Sequence, residues 1–256
     1  MGLNMDKIRA KYNALKNGGA KGETKNNFWK PQEGEQTIRI VPTPDGDPFR
    51  DYWFHYNVGK AMGFLSPKKN FGEEDPLNDF VRSLWSDYNQ TQDEETKKLA
   101  KDLSAKQRFF APVLVRGEED QGVRIWGFSK TVYEDILGMI LDPDYGDITD
   151  IDRGFDLKVT YGKPAGAQYP KTTIKARRNP TPLSEDRNQV SAWLDNIPDY
   201  NTLFPRKTPQ EVQVILDEFL MAGTNPEEVS SETTRYSNGA TDVDKAFDDL
   251  LGSFLT

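Results

Sequence analysis

The sequence has no cysteine and only one histidine, His55, among its 256 residues. The lack of cysteine excludes disulfides, thiolate catalysis and zinc or iron–sulfur sites with cysteine ligands. A single imidazole also excludes the usual His-rich metal sites and proton relays. No apolar run approaches 18 residues, and residues 1–6 lack the apolar core of a signal peptide. The sequence therefore predicts an intracellular protein without a membrane-spanning helix.

Motifs for catalysis are also missing. The chain has no Walker-type glycine loop, no nucleophile elbow and no helix with two histidines four residues apart. Acidic runs such as 73–75 and 93–95 lie in polar stretches and are typical of a solvated surface. His55 lies among aromatic residues and is more typical of a packed side chain than of a catalyst. We expect a protein that is not an enzyme and that holds no cofactor or metal.

Acidic residues outnumber basic ones, but the charge is unevenly distributed. The 33 basic and 41 acidic residues give a net charge of -8 and a pI near 4.9, which by itself argues against nucleic-acid binding. Residues 1–30 nevertheless hold seven basic and two acidic groups, and so do residues 151–180. Residues 226–256 hold two basic and seven acidic groups. The chain therefore has two basic segments and an acidic end.

The hydrophobic pattern indicates short strands with helices between them. Predicted strands lie at 36–41, 49–58, 108–116, 122–128, 155–161 and 172–178. Predicted helices lie at 6–16, 75–89, 92–104 and 130–141, with another from a capping box at 208–211 through Met221.

This order of elements predicts an α+β, mainly β fold, namely an OB-fold-like barrel core with inserted helices. We expect a basic N-terminal arm at residues 1–25 and an OB-fold core at residues 26–222. Residues 223–256 are predicted to form a flexible linker and a disordered, acidic, amphipathic tail.

Cations and aromatic rings are interleaved on the predicted hairpins. This combination suits single-stranded nucleic acid, because bases stack on rings while phosphates attract cations. Any one ring can instead fill the core, but the seven cations of residues 151–180 are harder to explain by packing. The residues predicted to bind single-stranded DNA are Lys106, Arg108, Phe109, Phe110, Arg124, Trp126, Phe128, Lys130, Lys158, Tyr161, Lys163, Tyr169, Lys171, Lys175, Arg177 and Arg178.

The acidic end carries an amphipathic pattern. Its apolar face suits a groove on another protein, and its charge suits a basic groove of its own chain. The alternative is an ordinary terminal helix docked on the core. The predicted partner-binding residues are Asp242, Asp244, Phe247, Asp248, Asp249, Leu250, Leu251 and Phe254.

A basic arm, an aromatic-rich OB-like core and an acidic tail together resemble the single-stranded DNA-binding (helix-destabilising) proteins of T-even-type phages. Residues 36–42 resemble the first core strand of that family, 106–115 with 123–140 its central hairpin and helix, and 155–159 a later strand. Residues 66–76 are similar to the version carried by marine cyanobacterial phages.

The sequence differs from this family's pattern at the zinc site, which in the family's best-known members uses one histidine and three cysteines. His55 falls at the histidine position, while Ser66, Asp75 and Asn78 stand where the cysteines align. Without thiolates a tight zinc site is not expected. Packing has to replace it, and the candidates are Phe64, Leu65, Phe71, Leu77 and Phe80.

The resemblance implies a protein of phage DNA replication, recombination and repair in the cytoplasm of the infected bacterium. It implies cooperative self-association through Lys7, Arg9 and Lys11, sequence-independent binding of single-stranded DNA by the core, and recruitment of replication and recombination proteins by the tail. Two alternatives stay open, namely an RNA-binding OB-type translational regulator and a scaffold protein that binds no nucleic acid.

Overall fold

A computed structural model describes residues 27–167, 170–223 and 240–253. Eight strands in this part of the chain form one sheet. They are β1 (Phe28–Trp29), β2 (Gly34–Ile40), β3 (Arg50–Val58), β4 (Ala61–Leu65), β5 (Lys106–Val115), β6 (Arg124–Phe128), β7 (Leu157–Gly162) and β8 (Lys171–Ala176).

Helices are inserted between the strands and follow the last one. They are α1 (Pro67–Phe71), α2 (Pro76–Thr91), α3 (Glu94–Leu103), α4 (Lys130–Leu141), α5 (Arg187–Asp195), α6 (Tyr200–Leu203), α7 (Pro209–Gly223) and α8 (Ala240–Ser253). The capping box that begins α7 is present, because the backbone N–H of Thr208 donates to Glu211 Oε2 at 2.7 Å.

Strand β5 connects the sheet, since it pairs with three other strands. Residues 106–110 pair with β3, residues 113–115 pair with β2 on the same edge, and residues 109–113 pair with β6 on the opposite edge. The sheet order is β1-β6-β5-β2-β7-β8, with β3 and β4 attached beside β5. Within the described residues β1, β4 and β8 each have one strand partner.

One face of the sheet is covered by α4. Side chains from β2, β5, β6, β7 and β8 meet there, with Ile38, Val113 and Leu157 fully buried. Val132 and Ile136 of α4 pack into the same cluster. Complete burial of each such side chain contributes about 1.5–3 kcal/mol.

The other face carries a buried charge network at the junction of β2, β5 and β7. The guanidinium of Arg39 is fully buried and lies 2.9 Å from Asp156, and Arg116 lies 3.0 Å from the same carboxylate oxygen. Arg39 also donates to the carbonyl of Thr181, and Arg116 to that of Leu183. The network therefore ties residues 181–183 to three strands.

Sequence-based expectations hold for most of the regular elements. The strand predictions correspond to β2, β3, β5, β6, β7 and β8, and the helix predictions to α2, α3, α4 and α7. The mixed α and β architecture is confirmed, whereas the OB-fold label stays a prediction. The predicted helix at 6–16 lies outside the described residues.

The prediction of a disordered tail is corrected for residues 240–253. They form α8, and its residues Phe247, Leu250 and Leu251 are buried against β3, β5 and β6. The competing sequence interpretation, a terminal helix docked on the core, describes this segment. Apolar burial explains the difference, because the amphipathic face finds an apolar surface on its own chain.

A buried hydrogen-bond cluster joins His55, Ser66 and Asp75, three of the residues that the sequence resemblance aligns with zinc ligands. Ser66 Oγ donates to Asp75 Oδ2 at 2.5 Å, and the ring of His55 contacts the same oxygen at 3.4 Å and the carbonyl of Leu103 at 2.9 Å. The backbone N–H of Asn78 donates to Asp75 Oδ1.

These residues do not fit zinc. No thiolate is present, and the carboxylate of Asp75 is committed to three donors. In the described parts of the chain, no three His, Cys, Asp or Glu side chains come together as a metal site. Of the five packing candidates, Phe64, Leu77 and Phe80 share one cluster, whereas Leu65 and Phe71 belong to another.

We predict that Asp75 makes folding sensitive to acid. Burial alone would raise the pKa of this carboxyl, but hydrogen bonds from His55 and Ser66 lower it to about 2. An unfolded chain, with a carboxyl pKa of about 3.9, binds more protons in acid, so stability is present above pH ~4 and is lost toward pH ~2. Asp75→Asn should be less stable at neutral pH and lose about 2 kcal/mol of this acid dependence.

Urea unfolding of the wild type, Asp75→Asn and the control Asp79→Asn between neutral pH and pH ~2.5 measures this effect. Asp79 is exposed on α2, so its variant should follow the wild-type pH profile. An unchanged acid dependence in Asp75→Asn would contradict the assignment.

Candidate nucleic-acid interface

The hairpin of β7 and β8 presents cations on the sheet face opposite α4. Val159 and Ile174 of the hairpin are buried, and side chains alternate across each strand. Lys158 and Lys175 are direct cross-strand partners on the outer face. Like charges in that position are destabilising, so the pair suits an anionic ligand better than it suits packing.

Further cations extend this surface. Arg177 and Arg178 follow β8 and are exposed, and the backbone N–H of Arg177 donates to the carbonyl of Asp156 at 2.8 Å. Glu35 lies 2.8 Å from Lys158 and neutralises part of its charge. The hairpin surface is defined here as Lys158, Lys163, Lys171, Lys175, Arg177 and Arg178.

A polar groove of about 510 Å³ borders the hairpin surface. Arg116 and Arg177 line it together with the acidic residues Glu35, Glu118 and Asp156. The side chain of Arg116 is committed to Asp156 and to two carbonyls. The groove is therefore a boundary of the cationic surface and not a phosphate site.

The predicted stacking rings of β5 and β6 lie in the core. The exposed fractions of Phe110, Trp126 and Phe128 are 0%, 1% and 2%, and Phe109 stacks on Tyr133 with ring centroids 4.2 Å apart. No base can stack on a ring enclosed in this way. We correct the role of Phe109, Trp126 and Phe128 to packing, which was the alternative stated for any single ring, while Phe110 lies under α8.

Cations on the same strands are also committed to the protein. Arg108 is buried with its guanidinium 4.6 Å from the ring of Phe247, and Arg124 lies 2.5 Å from Glu118. Lys106 donates to the carbonyl of Lys101, and burial lowers its pKa. Lys130 is exposed at the start of α4. Lys106 and Arg124 are half-buried, and Lys130, the exposed member of this group, lies 3.5 Å from Glu134.

Most of the remaining predicted site residues lie outside the described part of the chain or have side chains that the structure does not describe. Tyr161 is half-buried on β7, while Tyr169 lies outside the described residues. The self-association residues Lys7, Arg9 and Lys11, and Phe254 of the tail, lie outside it as well. Asp242 and Asp244 fall within α8, but their side chains are not described.

Helix α8 covers the outer face of the sheet at β3, β5 and β6. The ring of Phe247 has an exposed fraction of 1% and lies among Phe54, Phe110 and Arg108. Gly127 makes this contact possible, because a Cβ at that position would lie 2.6 Å from the Phe247 ring. Asp248 adds an ion pair with Lys30 at 2.6 Å.

Ring–cation pairs elsewhere were missed by sequence reasoning. Lys69 lies over Trp53 at 5.3 Å, Arg206 over Phe71 at 3.6 Å, and Arg50 over Tyr200 at 5.6 Å. The three rings are half-buried, so part of each faces solvent. The aromatic run of residues 52–56 was visible in the sequence, but Lys69, which approaches Trp53, comes from helix α1, and the other two rings lie outside that run.

A family model described as "gp32 DNA binding protein like" matches residues 32–207, which include β2 to β8 and the hairpin surface. A search of curated proteins gave no match. In the part of the chain that the structure describes, no helix is long and apolar enough to span a membrane.

The matched region covers more than half of the chain and contains the cationic hairpin. The family is one of DNA-binding proteins and not of enzymes. The chain therefore belongs to the gp32-like family of single-stranded DNA-binding proteins.

Proposed function

We propose that the protein coats single-stranded DNA cooperatively and without sequence preference during phage DNA replication, recombination and repair in the infected host cell. The hairpin surface carries this proposal. Its six exposed or half-exposed cations lie on a strand pair and the residues beside it, and only Glu35 forms an ion pair with any of them in the described chain. In the proposed complex, DNA phosphates supply the negative charge that neighbouring protein side chains do not.

Sequence independence follows from the kind of contact. The hairpin surface offers Lys, Arg and Thr side chains, which read backbone charge and not base identity. The half-buried rings of Trp53, Phe71 and Tyr200 supply stacking faces beside cations. We propose that these rings, and not the buried rings of β5 and β6, stack on bases. We also propose that the sheet forms an OB-type barrel.

The acidic tail is proposed to control access to the outer face of the sheet. Helix α8 places an aromatic ring and a carboxylate beside Arg108 and Lys30, an arrangement that imitates a base and a phosphate. Its apolar face is the one proposed to recruit replication and recombination proteins. Because Phe247, Leu250 and Leu251 are buried, a partner has to release α8 before it can bind that face.

We predict that replacing both Arg177 and Arg178 with Ala weakens DNA binding and lowers its salt dependence. Each lost phosphate contact reduces the slope of log K against log salt by about 0.7 for single strands. Titrations of oligo-dT at several salt concentrations, read from tryptophan fluorescence, measure the slope. The double variant Arg82→Ala and Arg153→Ala removes two exposed arginines outside the hairpin surface and is the control.

Equal slopes in the wild type and the Arg177 and Arg178 variant would show that these cations do not contact phosphate. Competition between poly-dT and poly-U in the same assay separates DNA from RNA preference. Absence of any binding would favour the scaffold alternative.

We predict that releasing α8 tightens DNA binding at low salt. Gly127→Ala places a methyl group in the space of the Phe247 ring, and Phe247→Ala removes the ring itself. Both changes weaken the docking of α8 by different routes, so both should raise the affinity for a dT oligomer of about 16 nucleotides several-fold. Val214→Ala, which shortens an exposed side chain on α7, is the control.

Affinity that stays at the wild-type level in both release variants would overturn the proposed gating. Protection of α8 amides from hydrogen exchange should fall in both variants and reports whether the helix has been released.

A further inference from the structure

The solvent-facing side of α4 has no partner in the described chain. Val132 and Ile136 point into the core, while Glu134, Gly138 and Leu141 share the opposite face at spacings of four and three residues. Leu141 has an exposed fraction of 81%, the highest among the large apolar side chains that the structure describes. Burial of this side chain against another apolar surface would be favourable, because it removes apolar area from water.

Gly138 adds a second, independent feature to this face. Glycine inside a helix costs about 1 kcal/mol relative to alanine. A Cβ at position 138 would have nothing within 4 Å, so packing inside the chain does not require glycine there. A second backbone that approaches α4 closely would require it.

The surroundings of this face are acidic. Residues 130–150 hold one basic and six acidic groups. Among the described residues Glu134 lies 3.5 Å from Lys130, and no Lys or Arg pairs with Asp135, Asp142 or Asp144. The occupant of this face should therefore be basic and amphipathic.

A segment of this chain outside the described residues has that character. Residues 6–16 hold four basic groups and one acidic group, and the sequence predicts a helix with Ile8, Tyr12 and Leu15 in one stripe. We propose that residues 6–16 of a second copy dock on the outer face of α4, with the apolar stripe over Gly138 and Leu141. This proposal rests on the self-association proposed above and names its receptor.

The connection is long enough to reach a neighbour. Ten residues separate position 16 from Asn27, where the described chain begins, and they span at most about 35 Å. On a DNA strand the copies lie side by side, so each arm has a neighbouring α4 at high effective concentration. The contact repeats from copy to copy in one direction and forms an open filament.

Disulfide trapping tests the contact directly, because the chain has no cysteine of its own. Leu15→Cys and Gly138→Cys chains are mixed on poly-dT under mild oxidation. A disulfide-linked heterodimer is expected, several-fold stronger than in a mixture of Leu15→Cys with Ser83→Cys, whose cysteine lies on the exposed side of α2. Equal or absent linkage in the two mixtures would overturn docking on α4.

A second pair of variants needs no cross-link. Leu141→Glu should lower the affinity for poly-dT several-fold while leaving binding to a dT oligomer of about 16 nucleotides unchanged. The matched control Val214→Glu changes an exposed apolar residue of α7 and should lower neither. Cooperativity that is equal in Leu141→Glu and the control would also overturn docking on α4.

The failure of this docking is distinguishable from the failure of self-association. If deletion of residues 1–16 lowers cooperativity but Leu141→Glu does not, the arm contacts a different surface of the neighbouring copy. In that case only the assignment of α4 as its docking site is wrong. If the deletion leaves cooperativity intact, self-association through the arm fails as well. A chain carrying both cysteines that forms an internal disulfide without DNA, while the mixture forms none, would place the arm on its own core and contradict the proposal.

Discussion

The ion network of Arg39, Asp156 and Arg116 is the constraint on which the outer face depends. Three strands meet at it, and residues 181–183 are tied to it through backbone carbonyls. Removal of one partner from such a buried set leaves uncompensated charge and costs about 3–5 kcal/mol. The network fixes where the chain leaves β8, and so it fixes where Arg177 and Arg178 emerge. The cationic surface is therefore built on a rigid junction, although it lies partly on loops.

The two ends of β5 have different roles on that outer face. Arg116 lies just beyond one end, beside the hairpin, while Arg108 and Phe110 near the other end lie under α8. Arg108 and Arg116 are eight residues apart, which corresponds to about 26 Å along a strand. The acidic helix and the proposed DNA-binding surface therefore lie on neighbouring parts of one sheet face, which is the physical basis for the proposed control of access by the tail.

Local signals in the sequence identified six of the eight strands and four of the eight helices in the described part of the chain, because alternation, capping residues and turn clusters act over short distances. The capping box at Thr208 and Glu211 is an example. Sequence reasoning failed where distant segments decide exposure. Phe110 and Trp126 have the pattern expected of a stacking surface, but α8 covers the first and the inner core encloses the second. The hairpin cations were found because charge is costly to bury and so tends to stay at the surface.

Lysine footprinting tests the central claim that the hairpin of β7 and β8 is the phosphate-contacting surface. The chain is acetylated at limiting reagent with and without saturating poly-dT, and modification at each lysine is read by mass spectrometry. The account predicts strong protection of Lys163, Lys171 and Lys175 and little change at Lys60 and Lys98, which are exposed elsewhere. Modification of the hairpin lysines at the same rate in both conditions would contradict it.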